Sequence, residues 1–384
     1  MAGTLYLVGT PIGNLNDLSP RAIETLKSVD FIAAEDTRVT LKLLNHFGIR
    51  RPLISYYEHN KAASGPRIVE RILAGETCAL VSDAGSPAIS DPGEDLVRLC
   101  AENGIDVIHA QYPRENVIAV LSRLWRRETR VVFTSHLTVR QSFLWRAVNR
   151  RITPHDAACI AVCTQGANLL RENGVKEERV RVIFNGVAPK PLPPRRNVIR
   201  TEFSLPEDCF VFLTMARYAP EKGLFFLLDA LAQLKERTDA PFACLIAGDG
   251  ELFDAVGEGI RERGLDENVI RAGYRTDAEA LMCSSDVYVS SALYNEAMSF
   301  AALEAMECGL PLVMTDVGAG ADLADGCGEC VPPGDASALC DALHRLMTDG
   351  MYRRTCGKNA RRRAVTEFDL TRQTEELLAL YQKG

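Results

Sequence analysis

One pattern constrains the fold of this chain more than any other. Short, continuous apolar runs rich in β-branched residues recur along it, each followed by a longer stretch with helical spacing. The runs lie at 5–8, 31–34, 78–81, 107–110, 131–134, 180–184, 211–215, 243–247, 287–290 and 312–315. A strand with one face in water alternates apolar and polar residues, whereas a strand covered on both faces does not. The pattern therefore predicts parallel sheets flanked by helices, an α/β chain of Rossmann-like domains.

At 384 residues the chain has room for two or three such domains. One break is visible directly: residues 188–196 carry four prolines in nine positions. Proline lacks an N–H and fixes its φ, so neither a helix nor a central strand runs through this segment. A second boundary, near 104–110, shows only through the motifs described below. The predicted division is 1–105, 106–196 and 197–384.

An apolar content of 47% with 25% charged residues is that of an ordinary soluble protein. The net charge of −7 argues against nucleic acid or an anionic membrane as the dominant partner. No apolar stretch approaches the roughly 20 residues of a transmembrane helix, and no charged-then-apolar leader opens the chain. The twelve cysteines are scattered, as in a reducing cytoplasm, which is the expected location. Cys327 and Cys330 form a CxxC without a second pair or two histidines nearby. They are read as part of a surface loop, and no metal is expected.

The chemistry-bearing motifs concentrate in the C-terminal half. An apolar strand at 211–215 runs into a loop with Arg217 and Lys222, and Gly223 then opens an apolar helical pattern. Two cations beside a helix start suit a diphosphate, because side-chain charge, backbone N–H groups and the helix dipole act together. The next strand ends in Gly248-Asp249-Gly250. The strand at 287–290 leads to Glu296, and a helix predicted over 298–308 carries Glu304 before the stop signals Gly309 and Pro311. A carboxylate accepts from two vicinal hydroxyls, on a sugar or a ribose. Ala301, Ala302, Leu303, Ala305 and Met306 surround Glu304, which predicts a buried carboxylate needing a partner.

Together these residues give the segment from about 106 to 384 a specific resemblance. Arg217-x4-Lys222, Gly248-Asp-Gly250, Glu296-x7-Glu304, Glu304-Ala-Met-Glu-Cys-Gly-Leu-Pro311 and Val331-Pro-Pro-Gly-Asp335 resemble the family-4 glycosyltransferases of the GT-B fold. The resemblance implies retaining transfer from a nucleotide-sugar to an acceptor, which it does not identify, with no metal and no cofactor. Arg217, Lys222 and Gly248 would lie at the donor, the two cations on its diphosphate. Glu304 would hold the ribose, and Glu296 would act near the reacting carbon. Ala297 stands where the family often has glycine. His136, after the strand at 131–134, would be a second catalytic residue facing the donor sugar.

The first 105 residues resemble a different family, the 2′-O-ribose methyltransferases of small-subunit ribosomal RNA in the tetrapyrrole-methylase superfamily. The carriers are the run 5–14 with Gly9, Pro11 and Gly13, then Ala34-Glu-Asp-Thr-Arg38, Tyr57-Glu-His-Asn60, and 81–93 with Asp83, Gly85 and Ser86. These loops would form one wall of an S-adenosylmethionine site. That family's second subdomain is replaced here by glycosyltransferase-like sequence, so the chain reads as a fusion. Three functions are then open: a glycosyltransferase, an impaired ribosomal-RNA methyltransferase, or a non-catalytic nucleotide-sugar binder. Ribosomal RNA is a partner only under the second. Residues 1–106 hold ten Lys and Arg against fourteen Asp and Glu, a poor balance for gripping RNA phosphates.

Overall fold

The computed structural model describes residues 3–10, 18, 20–81, 93–103, 107–124, 127–136, 139–188 and 190–382. The chain divides into two compact units, one of 1–162, 166–183 and 376–384, the other of 163–165 and 184–375.

The first unit holds β1 (Leu5–Leu7), β2 (Phe31–Ala34), β3 (Leu53–Ser55), β4 (Cys78–Val81), β5 (Val107–Ala110), β6 (Arg130–Ser135), β7 (Ala158–Ala161) and β8 (Val180–Val182). They form one sheet in the order β3-β2-β4-β1-β5-β6-β7-β8, with every pairing parallel. The continuous apolar runs follow from double coverage. In β2, Phe31 and Ala33 join one core cluster while Ile32 and Ala34 join another on the opposite face. All four are buried, and full burial of a large apolar side chain contributes roughly 1.5–3 kcal/mol.

The sheet continues across residue 105. β1 sits between β4 and β5, with Leu5 opposite Cys78 on one side and Ile108 on the other. Strands from the methyltransferase-like block and from the glycosyltransferase-like segment thus share one sheet and one core. The C-terminal helix Leu370–Gln382 lends Leu377, Leu380 and Tyr381 to a small cluster with Val132, Ile160 and Ile183.

The second unit holds β9 (Phe210–Met215), β10 (Phe242–Ala247), β11 (Val269–Gly273), β12 (Val287–Ser290), β13 (Leu312–Thr315) and β14 (Gly328–Val331). Their order is β11-β10-β9-β12-β13-β14, again all parallel. Chain direction across the sheet reverses between β9 and β12, and ligands of such sheets bind outside the strand carboxyl ends at that switch point. The described part of the proline-rich segment has no regular structure and is tied down: Lys190 N donates to Glu307 Oε1 (3.0 Å) and Arg196 N to Cys283 O (3.0 Å).

Two expectations change. The CxxC is not a loop: Gly328–Val331 pairs in parallel with β13, Cys327 is buried, and only Cys330 is exposed. Polar and glycine content hid this strand because it is a sheet edge, where one side needs no apolar partner. The second correction concerns Glu304, below. No helix among the described residues is long and apolar enough to cross a membrane.

Candidate functional site

Four loops meet at the carboxyl ends of the second sheet, and their backbones hold one another. After β9, residues 216–223 pass through the short 3-10 turn Pro220–Lys222 to Gly223 at φ +62°, where the helix Leu224–Arg237 begins. The loop after β10 closes onto it: Tyr218 N donates to Asp249 O (2.9 Å) and Leu252 N to Tyr218 O (2.9 Å). Gly248 has φ +144°, and a Cβ there would fall inside the Ala216 carbonyl oxygen. The loop after β12 docks from the other side. Leu293 N donates to Glu221 O (2.8 Å) and Ser291 Oγ to Lys222 O (2.9 Å). Finally the loop after β13 supports Glu296: Ala319 N donates to Ala297 O (2.8 Å), and a Cβ on Gly318 would collide with Glu296 O.

This clamp brings the predicted residues together. Lys222 Nζ donates to Glu296 Oε2, with both side chains mostly shielded from water. Both line a cavity of about 20 Å³ with Tyr288 and Ser299. Arg217 donates to Glu221 (2.6 Å), a half-exposed i,i+4 pair that adds little stability but orients the guanidinium. Glu296 lies in the loop ahead of the helix Phe300–Glu307, and Asn295 before it takes the left-handed conformation at φ +55°. Ser299 caps that helix by accepting from Ala302 N (3.2 Å). Burial pushes the Tyr288 phenol up, and the carboxylates of Glu296 and Glu304 push it the same way.

Glu304 is exposed, not buried as its neighbours suggested. The helix buries Ala302, Leu303, Ala305, Met306 and Glu307. At about 100° per residue these leave Glu304 in the one gap of the buried arc. It faces a cavity of about 340 Å³ shared with Arg196, Asp277 and Glu307. The buried carboxylate of this helix is Glu307, held by Lys190 N and, at 3.8 Å, by Arg361. Sequence reading missed it, together with Glu221, Ser291 and Gly318. Glu221 was findable, standing four residues from Arg217. Gly318 carried no signal, because only the fold brings it to Glu296.

In the first unit, His136 follows β6 and its Nε2 lies 3.0 Å from Gln111 Oε1. An amide oxygen only accepts, so this contact puts the proton on Nε2 as the amide is assigned. Gln111 is itself buried at the end of β5, its backbone N–H donating to Glu115 Oε2 (3.2 Å). Gly9 follows β1, and a Cβ there would lie 2.7 Å from the Tyr112 ring and 3.3 Å from Glu115 Oε1. Gly9 thus packs against the start of the helix Pro113–Ser122. Pro11, Gly13, Asp83, Gly85 and Ser86 lie outside the described residues. Among the described residues no cluster of three or more His, Cys, Asp or Glu has metal-binding geometry.

Residues 195–363 match the family model of glycosyl transferases group 1, and residues 57–190 that of glycosyltransferase family 4. Both segments carry the glycosyltransferase signature. The family-4 match begins at residue 57, inside the block whose motifs resemble the methyltransferases. Among solved structures, Anabaena Alr3699/HepE in complex with UDP is similar over 98% of both chains, at TM-score 0.73 and 20% identity. A glycosyltransferase from Rickettsia africae is similar over 99% of this chain and 98% of its own, at TM-score 0.73 and 18% identity. The fold is GT-B. Curated relatives give the other half of the fusion. The ribosomal RNA small subunit methyltransferase I of Halalkalibacterium halodurans is 62% identical over 106 residues, 28% of this chain. That of Synechocystis is 58% identical over 106 residues. The chain spans only 37% and 38% of those relatives' lengths.

Proposed function

We propose that the chain is a retaining glycosyltransferase of the hexosyltransferase type that moves a sugar from a nucleoside-diphosphate-sugar to an acceptor. The observation that carries the reading is the Lys222–Glu296 pair, set at the switch point with Arg217 on the same loop. Arg217 and Lys222 bind the donor diphosphate, Gly248 lets the loops after β9 and β10 close on each other beside it, and Glu304 receives the ribose hydroxyls. Glu296 stabilises charge at the anomeric carbon as the leaving group departs, and His136 is the second catalytic group. Diphosphate arrival gives Lys222 a new anionic partner and frees the Glu296 carboxylate for the sugar. The chemistry draws on these side chains alone, with no metal or cofactor, in a cytoplasmic protein.

A nucleoside diphosphate or its sugar conjugate should raise thermal stability. At about 100 times its dissociation constant, a ligand that binds only the native state adds roughly 2.7 kcal/mol. A thermal melt against a panel of common nucleotide-sugars checks this, and an unmoved transition with every one of them would remove the donor reading.

The close methyltransferase relatives support a second reading, in which the N-terminal block methylates ribosomal RNA with S-adenosylmethionine. The packing of Gly9 against Tyr112 and Glu115 weighs against it, since this close backbone approach serves a protein contact. Methyl transfer also demands in-line placement, where about 1 Å of error costs roughly 100-fold. Labelled methyl transfer to small ribosomal subunits from a strain lacking its own enzyme should stay at background. Stoichiometric labelling would make the methyltransferase reading the leading one. Retained donor binding with no transfer to any acceptor would instead favour a non-catalytic nucleotide-sugar binder.

A further inference from the structure

The first sheet has a second end. Because β6, β7 and β8 are parallel, their amino ends gather on the side opposite Gln111 and His136. There Arg123, Arg130 and Arg179 line a cavity of about 340 Å³ whose lining residues include Asp156. None of these residues belongs to the motifs of either family resemblance.

Three buried polar atoms at this cavity, on Asp156, Arg130 and Arg179, have no hydrogen-bond partner among the described residues. Asp156 is fully buried. Its Oδ2 accepts from Asn116 Nδ2 (2.8 Å) and Cys159 Sγ (3.2 Å), while its Oδ1 has no hydrogen-bond partner. The Nε atoms of Arg130 and Arg179 are buried without partners as well. Burial alone disfavours the charge on Arg130, with no carboxylate offsetting it. Arg123 is fixed toward the group by donating to the carbonyl oxygens of His155 and Arg127. Burial raises the Asp156 carboxyl to about 7 against the opposing hydrogen bonds of Asn116 and Cys159 and the charges of Arg123 and Arg179. It is therefore a weak counter-ion at neutral pH, and when protonated its O–H donates. The other titratable groups on the wall are His155 and Glu128, both exposed.

Three partly exposed guanidiniums lining one cavity, two of them with a buried unpartnered Nε, present unmet donors and positive charge to an anion. Guanidinium forks match the tetrahedral oxygens of a phosphoryl group, and they hold it with charge-assisted hydrogen bonds. We propose that the cavity at the amino ends of β6, β7 and β8 is a second ligand site, one that takes a phosphoryl anion, either free phosphate or the phosphate of a sugar-phosphate-sized molecule. Its volume lies at the lower end of small-molecule sites, which run from about 300 Å³. Its lining is mostly polar, as suits a phosphoryl group.

The test is isothermal titration of the full chain with glucose 6-phosphate, inorganic phosphate and glucose, each against three proteins. These are the wild type, Arg130→Gln/Arg179→Gln, and Arg217→Ala/Lys222→Ala. The expected result is binding of phosphate-bearing ligands but not glucose. It should weaken about 100-fold in the Arg130/Arg179 variant, which loses two charge-assisted contacts, and persist in the Arg217/Lys222 variant. Circular dichroism of the glutamine variant verifies that it is folded; Arg179→Lys alone, which keeps the charge, should bind with an intermediate loss. Glucose 6-phosphate tighter than phosphate identifies the phosphosugar, and equal affinities identify the free anion. The proposal is overturned if neither phosphate binds the wild type. Binding unchanged in the Arg130/Arg179 variant, or abolished only in the Arg217/Lys222 variant, overturns it too, because the anion then belongs to the donor loops. The donor reading stands or falls separately, on nucleotide-sugar binding.

Discussion

Glu296→Gln is expected to lower turnover about 100- to 1000-fold while donor affinity changes by less than about threefold. The substitution keeps the size of the side chain and one acceptor oxygen, and it removes the charge. That charge matters most when positive character develops at the anomeric carbon, and an interaction made only in the transition state appears in kcat. In the ground state its loss is softened, because the Lys222 ammonium it neutralised becomes available to the diphosphate. Glu304→Ala should behave differently. A ribose contact is made equally in ground and transition states, so its loss raises Kd about tenfold or more and leaves the turnover of bound donor near normal. Steady-state kinetics with independent Kd measurements separate the two. If both variants bind more weakly and turn over bound donor normally, the roles assigned to them are wrong.

Gly248→Ala is expected to cost about 3 kcal/mol or more of stability and to abolish donor binding in the fraction that still folds. The residue sits at φ +144°, and the new methyl would occupy the Ala216 carbonyl oxygen, so the loops after β9 and β10 would have to part. Tyr218, clamped between Asp249 and Leu252, would move with them, and so would Arg217 beside it. Gly264→Ala is the control. It too has positive φ (+62°) but open space within 4 Å, so it should cost only about 1 kcal/mol. Urea midpoints of the two variants decide the matter. Equal midpoints would mean that the close approach at Gly248 does not hold the site together.

Much of the architecture was legible because burial on both faces writes itself into composition. Six of the strands missed or found only roughly mark the limit. Leu53–Ser55, Val269–Gly273 and Gly328–Val331 lie at sheet edges, where one flank need not be apolar. Ala158–Ala161 is interior but built of Ala, Cys, Ile and Ala, of which the two alanines disfavour a strand. Val180–Val182 is shorter than predicted, and Arg130–Ser135 is longer by a residue at each end. The site was legible where residues sit close in sequence, as with Arg217 and Lys222. It was not legible where helix phase decides, as with the exposed Glu304 and the buried Glu307, or where distant loops touch, as with Gly318 under Glu296.

The central place of β1 carries a consequence for how such a chain is made. Leu5–Leu7 precedes both of its partner strands in the chain, and it is zipped on both sides only after residue 110 has been synthesised. Until then one flank of a wholly apolar strand offers unpaired N–H and C=O groups, a template for the wrong partner. Expressed alone, residues 1–105 would keep that open flank for good and are expected to aggregate. Whatever sequence follows residue 105 therefore has to supply a β5 that matches β1 in register. Any sequence joined at this seam is tested by one requirement, that it close the open flank of β1.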